Sequence, residues 1–278
     1  MIGVYAIGGG TGHVVRARRL IEVLGIDAVI LATPTDRRAA GDFPLMEIPR
    51  ALENDVSAHR AWLRAIAPDY ERLIVDTFPA GIQGELSGFT VLPLDFIGRL
   101  LRIDEYRRAT NDAAWPTFET AYVVEEGAPA VTCNRVVYLD LAPSLPPSLP
   151  PLDDSRAPRG YWLIVHSGPA EEVRELIAYA VALRDIENTT LEVLVATPCE
   201  VEMPDGFRRV DAFPATPLFP NATRILSGAG FNVMLETEPC RDKHIVLPFA
   251  RRFDDQFARA ARRRAKVQSQ KAEGRRQK

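Results

Sequence analysis

The first 25 residues constrain the fold most. An apolar run at residues 2–7 enters Gly8-Gly9-Gly10-Thr11-Gly12-His13, and a helix-patterned segment follows directly. Apolar, partly β-branched residues bounded by a turn signal read as a strand. Glycines without a Cβ let the backbone turn sharply and let something approach it closely. Downstream, Val14, Ala17, Leu20, Ile21 and Leu24 share one helical face, with Arg16, Arg18, Arg19 and Glu22 towards the other and Gly25 as the stop. A strand, a glycine loop and a helix is the unit from which parallel α/β sheets are built, although the spacing is not the full G-x-G-x-x-G of a dinucleotide fold.

The same alternation continues along the chain. Strands are expected at 28–32, 45–49, 73–75, 90–92, 121–124 and 136–139, with an amphipathic helix at 56–66. Residues 143–154 are then dense in proline, which removes backbone donors and favours an extended spacer. Beyond them the rhythm restarts: strands at 161–165, 191–195, 207–210, 224–227 and 244–248, and helices at 169–183, around Glu236, and at 254–266. Continuous apolar strands imply parallel sheets covered on both faces. The expected organisation is an α/β chain of two Rossmann-like, doubly wound lobes, 1–142 and 160–266, joined by a Pro-rich linker at 143–159 and followed by a basic tail at 267–278.

Composition narrows the partners. With a net charge of -3 over 278 residues, the chain lacks the basic excess of a phosphate-neutralising surface, so no nucleic-acid partner is expected. Cys133, Cys199 and Cys240 are widely spaced and form no C-x-x-C pair, which suggests neither a disulfide framework nor a zinc site. No basic leader and no 18-residue apolar window is visible, so the expected location is cytoplasmic. Residues 259–278 carry nine Lys or Arg against Glu273, which reads either as frayed helix passing into disorder or as a weak contact with the anionic inner face of a membrane.

Ligands of open parallel sheets bind beyond the carboxyl ends of the strands, and that rule selects the loops at 8–13, 76–85, 166–168 and 228–232. Gly10, Thr11, Gly12, Arg16, Asp76 and Glu85 fall in or beside the first two. His13, with an ordinary pKa of about 6.5, either moves a proton there or serves as a helix cap. Gly228, Gly230 and Asn232 form a second glycine turn opening a helix, suited to an anion. Glu236 in that helix either accepts both hydroxyls of a ribose or is merely solvated. The 166–168 loop is a poorer phosphate site, because Pro169 removes a donor and Glu171 and Glu172 repel an anion. Asp254 or Asp255 either meets sugar hydroxyls or caps the last helix.

Gly10-Thr11-Gly12-His13-Val14-Val15-Arg16-Ala17 resembles the G-x-G-H-x-x-R-A start of GT-B nucleotide-sugar enzymes, in particular glycosyltransferase family 28, the peptidoglycan N-acetylglucosaminyltransferase-like group. Ser227-Gly228-Ala229-Gly230-Phe231-Asn232 with Glu236, Val246-Leu247-Pro248, Asp255-Gln256, Ala258 and Ala260 is similar to the donor half of the same family, and 76–81 with Gly84-Glu85-Leu86 to a segment of its bacterial members. The resemblance implies two lobes facing a central cleft, the acceptor on the first and a UDP-sugar on the second. It implies Gly228 and Gly230 at the diphosphate, Glu236 at the ribose and Gln256 at the donor sugar, with His13 as the base of an inverting transfer of a hexose or N-acetylhexosamine. The UDP-sugar is then a co-substrate, no cofactor is expected, and the absence of a D-x-D pair points to a metal-independent reaction. The shorter glycine loop before His13, the abbreviated 166–169 loop and the basic tail depart from the family pattern. They keep two alternatives in play, a UDP-sugar hydrolase of the same fold and a non-catalytic nucleotide-binding protein.

Overall fold

A computed structural model describes residues 1–143 and 160–276. The Pro-rich stretch at 144–159, expected to be a linker, lies outside the described residues. The chain divides into two compact units, Met1–Leu141 with Arg252–Asp254, and Ala142–Arg251 with Asp255–Lys278.

Unit 1 is a seven-stranded parallel sheet. Its strands are β1 (Ile2–Ala6), β2 (Ala28–Ala32), β3 (Leu45–Glu47), β4 (Arg72–Asp76), β5 (Leu94–Gly98), β6 (Phe118–Val123) and β7 (Cys133–Tyr138), in the order β3-β2-β1-β4-β5-β6-β7. The helices are α1 (Gly12–Leu24), α2 (Val56–Ile66) and α3 (Ile103–Ala109). All five residues of β2 and of β5 are buried, as both-faced burial requires. Tyr5, Leu31, Leu63, Leu73, Phe96 and Phe118 belong to one core cluster, each fully buried aliphatic or aromatic side chain contributing about 1.5–3 kcal/mol. Gly25 ends α1 in the left-handed region (φ 61°), and Asp55 caps α2 by accepting from the Ala58 amide at 2.9 Å.

Unit 2 is a five-stranded parallel sheet of β8 (Tyr161–Val165), β9 (Val193–Ala196), β10 (Phe207–Val210), β11 (Ala222–Ser227) and β12 (His244–Val246), ordered β10-β9-β8-β11-β12. Helices α4 (Ala170–Glu187), α5 (Phe231–Glu236) and α6 (Gln256–Arg276) complete it. In both sheets the strand order reverses beside the unit's first strand, between β1 and β4 and between β8 and β11. Those reversals are where open sheets leave a crevice.

Three local expectations are corrected. The strand expected at 90–92 is a bend, and the sheet is continued by β5 at Leu94–Gly98 instead. Asp95 obscures it in the sequence: a carboxylate in mid-strand breaks the apolar pattern, yet it is buried on the Arg72 guanidinium (2.9 Å) and the Thr120 amide (2.9 Å). Arg16 and Arg19, expected on the outer face of α1, are buried (2% and 5% exposed). The helix expected at 254–266 starts at Gln256 and continues to Arg276, into the basic segment.

Candidate functional site

In unit 1 the register sets Tyr5 of β1 level with Val75 of β4, so the loop leaving β1 and the residue ending β4 are neighbours. His13 lies in the first turn of α1, and its Nδ1 is 2.6 Å from Asp76 Oδ2. Arg16, one turn further along the same helix face, grips the same carboxylate with Nε on Oδ1 (2.6 Å) and Nη2 on Oδ2 (2.5 Å). Thr77 follows with φ 69°, costly for a β-branched residue at about 1–3 kcal/mol. Its Oγ1 accepts from Arg16 Nη2 (2.9 Å) and Arg99 Nε (3.1 Å), and Arg99 also meets Asp254 (2.5 Å). Phe78 stacks on the imidazole at 5.7 Å and packs edge-on against Phe253.

This arrangement sets the protonation of the imidazole. Burial pushes Asp76 towards the neutral acid, but Arg16 and His13 outweigh it, and the carboxyl is held well below the usual range. Burial lowers the His13 pKa; the Asp76 hydrogen bond and charge oppose that, while Arg16 and Arg99 add to it. His13 is therefore neutral near pH 7, with Nδ1–H donated to the Asp76 carboxylate and Nε2 left as a basic lone pair. Nε2 has no hydrogen-bond partner among the described residues. The ring covers Gly8, where a Cβ would stand 2.2 Å from Nε2. Gly9 and Gly10 border open space, and Gly10 (φ 83°) lets the loop turn there. Gly12 begins the helix after Thr11, whose side chain makes no cap hydrogen bond.

Glu85 is drawn elsewhere. It is 1% exposed, accepts from the Tyr5 hydroxyl (2.7 Å) and from the amides of Ile82 and Gln83 (3.0 and 2.8 Å), and so shapes the 81–85 turn from inside the core. Tyr5 also reaches His59 Nε2 at 2.9 Å.

In unit 2, β11 ends in Ser227 and the 228–230 turn. Gln256 Oε1 accepts from both the Ala229 and Phe249 amides at 3.0 Å, so a donor sugar would find only the Nε2 end of that side chain. Arg259 holds the Ala229 carbonyl (2.7 Å), and Arg263 those of Met234 (3.1 Å) and Thr237 (2.9 Å). Asp255 caps α6 through the Ala258 amide (2.9 Å), whereas Asp254 is the partner of Arg99. Asn232 is in the first turn of α5, and Glu236, partly buried, ends it. Glu172 does not stand as a bare negative charge: His166 and Arg251 both bind it.

The sequence singled out His13, Arg16 and Asp76 individually and took in Thr77 and Phe78 only as part of the 76–85 loop; it did not join them or point to Arg99. The available signal was Asp76 at the carboxyl end of a strand next to the first, with His13 and Arg16 three apart on a helix. Among the described residues no group of three or more His, Cys, Asp or Glu is placed to hold a metal ion, and no helix is long and apolar enough to cross a membrane.

Several solved structures share this architecture. The chain is similar to the spinosyn rhamnosyltransferase SpnG, with TM-score 0.59 and 17% identity over 95% of this chain and 84% of that one. It is similar to the glycosyltransferase VinC in complex with dTDP, with TM-score 0.57 and 16% identity over 95% and 84%. A third, S. aureus MnaA solved with UDP, gives TM-score 0.59 and 12% identity over 90% and 80%. No protein-family model and no curated protein matches the chain. At such identities the likeness is one of fold: the two parallel α/β units make a two-lobe, Rossmann-like GT-B fold.

Proposed function

We propose that the protein is a glycosyltransferase that moves a hexose or N-acetylhexosamine from a nucleoside diphosphate sugar, UDP-linked by the sequence resemblance, to an acceptor hydroxyl with inversion. The observation that carries this reading is the His13–Asp76 pair: a neutral imidazole oriented by a buried carboxylate, with Nε2, unpartnered among the described residues, beside a glycine loop. In the reaction the acceptor O–H proton passes to Nε2 as its oxygen bonds to the anomeric carbon. The bond from that carbon to the diphosphate breaks on the opposite face, and the diphosphate leaves with the electron pair. Asp76 stabilises the imidazolium that forms. Solved structures of similar fold that hold UDP and dTDP support a nucleoside diphosphate as ligand; its place in unit 2, at Gly228, Gly230, Asn232 and Glu236, follows from the sequence resemblance. The lack of a D-x-D pair supports transfer without a bound metal.

The test is turnover against a panel of UDP- and dTDP-sugars, following nucleotide release with and without candidate acceptors. Asp76→Asn and His13→Ala are expected to lower turnover by about 10²–10⁴-fold while nucleotide binding persists. Chelation of divalent metals is expected to leave the rate unchanged. Free sugar released equally well without an acceptor would move the reading to a hydrolase, and no binding of any nucleotide at millimolar concentration would end it.

A further inference from the structure

We propose that His166 takes up a proton when the diphosphate of a nucleotide sugar binds at the ends of β8 and β11, so that donor affinity rises with acidity. The proposal rests on the donor reading above and adds a residue and a regulation to it.

The geometry is local to unit 2. His166 follows β8 directly, and its Nε2 is 2.7 Å from Glu172 Oε2 in the first turn of α4. Arg251 grips both oxygens of that carboxylate. Two glycines bracket the ring: a Cβ at Gly168 would stand 2.5 Å from Nε2, and one at Gly228 would stand 3.3 Å from Nδ1. Phe249 closes one side at 5.2 Å between ring centres. Nδ1 thus lies against the 228–230 turn, and among the described residues it has no hydrogen-bond partner.

Charge then decides what the cluster can bind. Glu172 and Arg251 cancel, and a neutral His166 whose Nε2–H goes to Glu172 presents a lone pair at Nδ1. A phosphate oxygen there would meet an acceptor with an acceptor. One proton on Nδ1 turns it into a donor and gives the cluster a net positive charge. The turn itself supplies little else, since the Ala229 amide is taken by Gln256 and α5 has only six residues. Among the described residues, the charged group paired with the ring is Glu172 from α4, itself held by Arg251 from the segment after β12, and Cys199 after β9 lies at the neighbouring Gly168 carbonyl, its Sγ 3.0 Å away. In the free protein burial lowers the His166 pKa, Glu172 raises it and Arg251 lowers it again. A bound dianion reverses that balance. The arrangement repeats that of His13, Asp76 and Arg16 after the first strand of unit 1, where the imidazole instead keeps its lone pair for an acceptor.

The experiment is isothermal titration of the full chain with UDP-glucose and dTDP-glucose at pH 6, 7 and 8, in two buffers of different ionisation enthalpy. The diphosphate diester of these probes does not titrate in that range. Affinity is expected to fall with rising pH, approaching the one-proton limit of about tenfold per unit, with net proton uptake on binding. His166→Gln is expected to bind weakly and equally at all three pH values. The chain has four histidines, so the His166 ring can also be followed by NMR in the unmodified protein, where its resonance should move to the protonated position on adding probe at pH 7. That second readout stands even if the variant misfolds. Binding that is independent of pH without proton uptake, an unmoved His166 resonance, or pH dependence retained in folded His166→Gln would each overturn the proposal alone. If neither probe binds, the donor reading fails and the proposal falls with it.

Discussion

A side chain at position 8 has nowhere to go, because the His13 ring occupies the space: a Cβ would lie 2.2 Å from Nε2 and 2.5 Å from Cδ2, on backbone with φ 153°. Gly8→Ala is therefore expected to push the imidazole off its site and lower turnover by about 10–100-fold, as misplacement of a reacting group by an ångström does. Circular dichroism and nucleotide affinity should stay close to the parent, and an unchanged rate would show that Nε2 is not the working atom. The protonation of His13 has its own signature. The base is active when unprotonated, and its pKa lies below the ordinary 6.5. The rate should therefore hold through neutral pH and fall only as pH drops below about 6.5. An acid limb centred above that value would assign the proton transfer to another group. Of this site the sequence named His13, Arg16 and Asp76, but only as separate candidates. It could not show that Arg16 and Asp76 complete it, because Asp76 is sixty positions further on and Arg16 had every mark of a solvent-facing helix residue.

At the scale of elements, α6 latches the turn beyond β11. Gln256, Arg259 and Arg263, three and seven positions apart, share a helix face and satisfy backbone groups of Ala229, Phe249, Met234 and Thr237. Gln256→Ala leaves two buried amides without their acceptor and should destabilise the chain by about 1–3 kcal/mol, read by urea denaturation. Nucleotide affinity should drop in the same variant because the turn loosens. A variant that loses affinity with full stability would place Gln256 on the ligand instead. The strand at Leu94–Gly98 teaches the same point from the opposite direction. Its Asp95 breaks the apolar pattern that marks a strand, and only the neighbouring Arg72 and Thr120 make a carboxylate tolerable there.

At the scale of the molecule, each unit carries its own sheet, its own core and its own crevice position. If the donor belongs to unit 2, hydrogen exchange with UDP present should slow amides around 166–168 and 228–231 and leave those around 8–13 and 76–78 nearly unchanged. Protection concentrated around 8–13 would reverse the assignment of donor and acceptor.

The sequence by itself determined the class of fold, because apolar runs of strand length, helical periodicity and glycine turns are local properties that survive whatever the chain packs against. It also singled out the ends of β1, β4, β8 and β11 as the candidate places for function. Tertiary structure alone decided which side chains act together. It joined His13 to Asp76 and His166 to Glu172 and Arg251, turned Glu85 inwards, and committed Gln256 Oε1 to the backbone. The physical reason is that pairing a buried charge and satisfying a buried polar atom depend on distance in space, and parallel strand crossovers bring together residues that sequence spacing cannot relate.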